Sequence, residues 1–241
     1  MRVKLGSISV IPILAAVASA SSDTWTVDDD GSADFETIQA AIDESSNGDT
    51  IEVYPGWYSG TGNQVIDSLG KSITIRASGT PEETIIDGEG ARRVVRCAGG
   101  EGADTIIEGF TITGGHAGAG GGIYCTYSGP TITDCTISNN TATYDGGGIY
   151  CYSSSPTLTD TVVCGNDPGQ INGSWIDNGG NTVSDECPCA DVDGDGFVAV
   201  HDLLAVLEAW GSDDPDADVD GDGLVGMDDL AAVIANWGAC P

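Results

Sequence analysis

The string Gly120-Gly-Gly-Ile-Tyr-Cys125 returns as Gly146-Gly-Gly-Ile-Tyr-Cys151, with a period of 26. Pro130-Thr-Ile-Thr-Asp134 returns at the same spacing as Pro156-Thr-Leu-Thr-Asp160, and Thr105-Ile-Ile-Glu108 precedes Thr131 by that same interval. A fixed period of this length marks a stack of equivalent units. Each unit holds three short runs in which apolar residues alternate with polar ones: Gly148 to Cys151, Thr157 to Thr159 and Thr161 to Cys164. That two-residue period belongs to a strand with one buried face. Gly, Asn, Asp and Ser separate the runs, as turns require. Three strands per unit make one coil of a parallel β-helix, whose coils pair about 4.8 Å apart and stack equivalent residues in columns. Less regular coils are legible at Thr50 to Tyr54, Ser72 to Arg76, Thr84 to Asp87 and Val94 to Cys97. Residues 21–186 are therefore expected to form an all-β right-handed parallel β-helix of about six coils. A β-sandwich would supply short strands but would not require identical sequence at a fixed spacing.

Charge narrows the partners. The chain carries 38 acidic and 7 basic residues, a formal net charge of −31. Such a surface repels phosphate backbones, which excludes nucleic acid as a partner. Acidity with few aromatics often means disorder, but 40% of the residues are hydrophobic, enough to build a core. Residues 1–20 read as an export signal: Arg2 and Lys4, an apolar run from Val10 to Val17, then Ala18-Ser19-Ala20. No segment reaches eighteen consecutive apolar residues, so no membrane span is expected. The expected location is extracellular or at a cell surface, where disulfides are permitted. Eight Cys follow residue 96, and Cys164 with Cys187 would tie down the end of the β-helix. At the other end Phe35, Ile38 and Ile42 predict a short amphipathic helix covering the first coil, with Asp34 as its N-cap. Residues 165–186, with Trp175, are expected to close the far end. His116 and His201 are read as bystanders.

Thr37-Ile-Gln-Ala-Ala-Ile42, Gly48-Asp-Thr50, Pro55-Gly56 and the repeated Gly-Gly-Gly-Ile-Tyr-Cys units resemble the pectin-lyase-like right-handed β-helix proteins. The resemblance covers about two thirds of the chain and implies fold more than activity. Uronate lyases and polysaccharide hydrolases belong to that superfamily. A lyase needs cationic groups, yet after Ala20 only Lys71, Arg76, Arg92, Arg93 and Arg96 are basic. A hydrolase needs two carboxyl groups. The repeat spacing places Glu108, Asp134 and Asp160 in one column, the candidate acids for such a role. The competing reading makes them turn residues that bond the local backbone. Trp57, Tyr58, Tyr127, Tyr144 and Tyr152 are candidates for stacking on sugar rings.

A second duplication, with a period of 27, occupies residues 187–241. Asp191-Val-Asp-Gly-Asp-Gly-Phe-Val-Ala-Val-His-Asp202 is followed by Asp218-Val-Asp-Gly-Asp-Gly-Leu-Val-Gly-Met-Asp-Asp229. Each is a twelve-residue Ca²⁺ loop. The ligands of the first are Asp191, Asp193, Asp195, the Phe197 carbonyl and Asp202. Those of the second are Asp218, Asp220, Asp222, the Leu224 carbonyl and Asp229. Hard oxygen donors on a flexible loop select Ca²⁺, so two ions are expected. Each loop leads into a helix, expected over Leu203 to Trp210 and Leu230 to Trp237, with an apolar stripe at i, i+3, i+4 and i+7. No amphipathic helix precedes either loop.

Duplicated loop-plus-helix units ending in Asp resemble the type I dockerin. That resemblance implies a small all-α domain with two Ca-loop-helix repeats and a cohesin-like or other extracellular protein partner. Loop positions 10 and 11, often a Ser-Ser or Ser-Thr pair in that family, are here Val200-His201 and Met227-Asp228. Cys189 and Cys240 flank the module and are placed to clasp its ends. The sequence thus points to a secreted, calcium-binding β-helix protein that meets polysaccharide and attaches to a partner. A polysaccharide hydrolase or lyase is the first alternative, and a non-catalytic structural surface protein the second.

Overall fold

A computed structural model describes residues 22–187, 189–193, 197–235 and 237–239. The export signal expected at residues 1–20 lies outside the described residues. From Thr24 to Ser184 the chain winds into a right-handed parallel β-solenoid of about six turns. Three parallel sheets form its sides. The first stacks Thr24–Val27, Thr50–Val53, Thr74–Ala77, Ile106–Glu108, Thr131–Thr133, Thr157–Thr159 and Ile176–Asp177 in that order. The second runs from Gln64–Asp67 through Arg93–Cys97, Ile123–Thr126 and Ile149–Tyr152 to Ile171–Asn172. The third runs from Gly56–Tyr58 through Thr84–Asp87, Thr111–Thr113, Thr136–Ser138 and Val162–Cys164 to Thr182–Ser184.

The alternation seen in the sequence puts every second side chain inside. In the first sheet Ile51, Ile75, Ile107, Ile132 and Leu158 pair in one buried column. Ile86, Ile112, Ile137 and Val163 do the same in the third. Each such side chain contributes about 1.5–3 kcal/mol of burial, and the columns repeat this at every turn. A polar column runs beside them. Asn140 and Asn166 are buried, and the Asn140 amide donates to Asn166 Oδ1 at 3.0 Å. The third glycine of each repeated triplet fits against this column. A Cβ on Gly122 would lie 2.9 Å from Asn140 Nδ2, and one on Gly148 would lie 2.8 Å from Asn166 Nδ2. The shared spacing of motif and ladder is therefore one packing contact made twice.

Four details depart from the sequence expectations. The cap helix α1 spans Ile38–Glu44, and its N-cap is Thr37, whose side chain accepts from Ala40 N. Asp34 instead accepts from the Thr26 amide and hydroxyl. Phe35 lies before the helix, bridges to Val27 and packs edge-on against Trp25. Residues 165–186 continue the stack as a shorter turn, with Trp175 packed on the core. A two-stranded sheet of His116–Ala119 and Thr141–Asp145, unmarked by apolar alternation, is an additional pairing beside the three sheets. It takes up His116, whose Nδ1 bonds the Thr141 hydroxyl at 2.9 Å.

Beyond the solenoid, helices α2 (Val200–Glu208) and α3 (Met227–Ala235) pack on each other. Both start three residues before the expected positions, because Asp202 and Asp229 already hold backbone amides in the first turn. Trp210 and Trp237 fall beyond the helix ends. A separate buried cluster of Ala190, Val198, Val206, Ala217, Val225 and Val233 forms the core there. Phe197–Val198 and Gly238–Ala239 pair as an antiparallel ribbon, joining the first loop to the end of the module.

Candidate functional site

The two acidic loops converge as their spacing demands. One carboxylate oxygen from each of Asp191, Asp193 and Asp202 lies within 4.8 Å of the others, and the same holds for Asp218, Asp220 and Asp222, a set that does not take in Asp229. Oxygens bound to one Ca²⁺ at 2.3–2.6 Å are at most about 5 Å apart, so both clusters have the size such an ion requires. Asp195 lies outside the described residues. Phe197 and Leu224 occupy the seventh place of each loop, where a backbone carbonyl is the donor.

The last Asp of each loop closes it from within. Asp202 is buried and accepts from Val192 N at 2.7 Å and Asp193 N at 3.2 Å through Oδ1, and from Ala199 N at 2.7 Å through Oδ2. Asp229 is buried and repeats the set with Val219 N, Asp220 N and Gly226 N at 2.7, 3.1 and 2.6 Å. Burial opposes ionisation of both, but these amides outweigh it and hold both carboxyls below the usual aspartate range. Each is thus a fixed anion, and its Oδ2 keeps a lone pair beyond the one amide it accepts. In the second loop Asp218 accepts from Gly221 N and Gly223 N, and Asp222 from Leu224 N, which turns the carboxylates inward. Asp220 accepts from Asp222 N, which favours its charge, yet burial and the neighbouring Asp222, Asp229 and Asp218 raise its pKa. A cation would relieve that repulsion.

The apolar stripe of the two helices is only half covered. Val206 and Val233 are buried, and Leu203 and Leu230 pack on the same core. Leu207 and Ile234 remain exposed, as do Trp210 (47%) and Trp237 (55%). The same two positions are thus open in each repeat.

The three candidate acids of the solenoid do not form one column. Glu108 pairs with Thr133, and Gly109, not Glu108, stands in the place of Asp134. Thr131 faces Ile106 on one side and Thr157 on the other, so the earlier coil is shorter by one residue. Asp134 and Asp160 do share a corner, at φ 50° and 47°. This left-handed conformation is tolerated by Asp and serves the turn. All five basic residues of the solenoid are engaged. Lys71 donates to carbonyls at the end of α1, including Ser45 O at 2.7 Å. Arg76, Arg92 and Arg96 pair with Glu52, Glu89 and Asp67. Arg93 donates to Gly120 O and Ala119 O and lies 4.4 Å over the Tyr124 ring.

One feature suited to a ligand was not legible as a site. A cavity of about 630 Å³ opens between the start of α1, the Ser59–Asn63 loop and the Glu89–Arg92 turn. Its amides and hydroxyls sit in a Gly-rich loop that reads as an ordinary turn. On the second sheet Tyr124 stacks on Tyr150 at 5.6 Å, and exposed Tyr127 meets exposed Tyr152 edge-on at 5.8 Å. Trp57 and Tyr144 are also exposed, whereas Tyr58 is buried and bonds Tyr54 O at 2.7 Å.

Cys164 and Cys187 form a disulfide with Cα atoms 4.7 Å apart. Cys189 is also disulfide-bonded; Cys240, its expected partner, lies outside the described residues. Among the described residues no helix is long and apolar enough to cross a membrane.

Comparison with known families finds a local similarity. Residues 134–152 match the Chlamydia polymorphic membrane protein repeat. The match spans the turn at Asp134, the Thr136–Ser138 strand and the second Gly-Gly-Gly-Ile-Tyr-Cys unit. No match is found among curated proteins.

Proposed function

We propose that this chain is a surface-exposed, calcium-binding β-solenoid protein that contacts polysaccharide and attaches through its C-terminal module to an extracellular protein. The observation that carries this reading is a carboxylate cluster in each of the two loops, together with a buried last Asp in each that three backbone amides hold ionised. Asp191, Asp193, Asp195 and Asp202 with the Phe197 carbonyl hold one Ca²⁺. Asp218, Asp220, Asp222 and Asp229 with the Leu224 carbonyl hold the other. Bound ions fix the loops, and the loops set the angle of α2 and α3. Leu207, Trp210, Ile234 and Trp237 then offer a duplicated apolar surface to a partner of the cohesin kind. The likeness to a repeat of a membrane protein in Chlamydia supports display at a surface.

Calorimetric titration of the calcium-free full chain tests the reading. Two Ca²⁺ are expected to bind, and Asp218→Asn with Asp220→Asn is expected to leave one. Absence of binding heat at any pH between 6 and 8 would refute it, provided equilibrium dialysis also finds no bound calcium.

Polysaccharide contact rests on the exposed Tyr127–Tyr152 pair beside the Tyr124–Tyr150 stack, where apolar sugar faces can pack. A glycan array reads it directly. Signals lost on Tyr127→Ala with Tyr152→Ala support it, and an array without signals assigns the solenoid a structural role. A hydrolase built on Asp134 and Asp160 would release reducing sugar and lose that activity on Asp→Asn substitution at both. A uronate lyase is disfavoured, because every cation of the solenoid already has a partner.

A further inference from the structure

Cys97, Cys125 and Cys151 are free, buried and directly opposite one another on three successive strands of the second sheet. We infer that they form a thiol relay that a small disulfide of the glutathione class oxidises, with Cys151 as the point of attack. Adjacent strands lie about 4.8 Å apart, within the Cα range of a disulfide. In this same chain Cys164 and Cys187 are bridged at 4.7 Å. The register stacks the three Cys in one column, so each thiol has the next as its neighbour for thiol–disulfide exchange. Cys97 and Cys151 are two coils apart and cannot bridge directly.

The column is open at one end only. The pairing of Tyr150 with Asn172 brings Gly173 opposite Cys151. Gly173 has φ 102°, and a Cβ there would lie 2.9 Å from Cys151 Cβ. The next coil thus offers no side chain to cover Cys151, which is 7% exposed while Cys97 and Cys125 are 0%. At the other end Ser68, fully buried, closes the column with its amide and hydroxyl on Arg96 O. Polarity follows the same direction. The neighbouring Cys125 thiol lowers the pKa of Cys151 against the effect of burial, while Cys151, Cys97 and burial raise that of Cys125.

The steps balance. Cys151 thiolate attacks one sulfur of the small disulfide, forming a mixed disulfide and releasing one small thiolate, which takes up the Cys151 proton. Cys125 gives up its proton and attacks the Cys151 sulfur, forming Cys125–Cys151 and releasing the second small thiol. Two electrons have passed to the small disulfide. Attack of Cys97 on Cys125 then moves the bond to Cys97–Cys125 and frees Cys151, with no net redox change. Cys135, off the column and pushed up to about 12 by burial, serves as an internal control.

The test exposes the folded full chain to oxidised glutathione, quenches with acid at intervals, alkylates and maps the peptides. A Cys151–glutathione adduct is expected first, then Cys125–Cys151, then Cys97–Cys125, with two of the four thiols that are free among the described residues lost. Cys125→Ala is expected to stop at the adduct. Cys97→Ala is expected to yield Cys125–Cys151 without migration. Oxidation of Cys135 as fast as Cys151, a Cys97–Cys151 link, or retention of all four thiols would overturn the relay.

Discussion

Asn140 and Asn166 stand one coil apart, and the backbone amide of Asn140 donates to Asn166 Oδ1 at 3.0 Å. Asn166 Nδ2 in turn lies 2.8 Å from both Ile137 O and Cys164 O. The side chain is thus a buried peg between coils. Asn166→Ala orphans these groups at about 1–3 kcal/mol each. A loss of roughly 3 kcal/mol is expected from urea unfolding, and an effect under about 0.5 kcal/mol would show that the peg is dispensable.

Glu101 makes the equivalent contact with a charge. It is buried, and it accepts from the Ser68 hydroxyl at 2.6 Å and from Gly70 N and Gly99 N at 2.8 Å each. Burial opposes its ionisation, but these donors prevail and hold the carboxyl below the usual glutamate range. A depressed folded-state pKa gives stability that is present above the unfolded value of about 4.3 and is lost as pH falls through the folded one. Unfolding midpoints of the wild type are expected to drop in that acid window. Glu101→Gln is expected to be less stable at pH 7 and to lose part of that pH slope. Parallel pH profiles for the two proteins would contradict the assignment.

The Cys164–Cys187 bridge encloses the last turn, with a sequence separation of 23. Closing a loop of this length is worth about 3 kcal/mol. The Cys164→Ala, Cys187→Ala double variant is expected to unfold at lower denaturant concentration. Hydrogen exchange is expected to quicken first in residues 165–186. Uniform exchange changes along the solenoid would argue against a local clasp.

Asp134 and Asp160 test turn chemistry against catalysis. Both occupy left-handed corners. Asp160→Asn keeps a side chain suited to that conformation and is expected to change stability by less than about 0.5 kcal/mol. Asp160→Val places a β-branched residue there, at a cost of about 1–2 kcal/mol. Equal stability of the two variants in thermal unfolding would refute the corner as the reason for Asp.

The solenoid was legible because Ile132 and Leu158, or Cys125 and Cys151, sit in near-identical strings. The period alone implies that they stack. The Glu108 register was not legible. A one-residue contraction before Asp134 hides behind the matching Thr-Ile-Ile and Thr-Ile-Thr patterns, and Gly109 takes the corner instead. The His116–Ala119 strand carries no apolar alternation, since its backbone pairing rather than its side chains defines it. Asp34 misled because Asp favours N-caps in general, whereas Thr37 is the residue with the helix start within reach. The acidic clusters followed from ligand spacing. The three amides on Asp202 and Asp229 did not, because they depend on how each loop folds over its own last residue.

Native mass spectrometry of the full chain, exchanged from chelator into buffer with free Ca²⁺, tests the central claim most directly. Two calcium ions per chain are predicted, falling to one when Asp220 and Asp222 are both replaced by Asn. A chain that carries no calcium, or whose count is unchanged by those substitutions, would contradict the account.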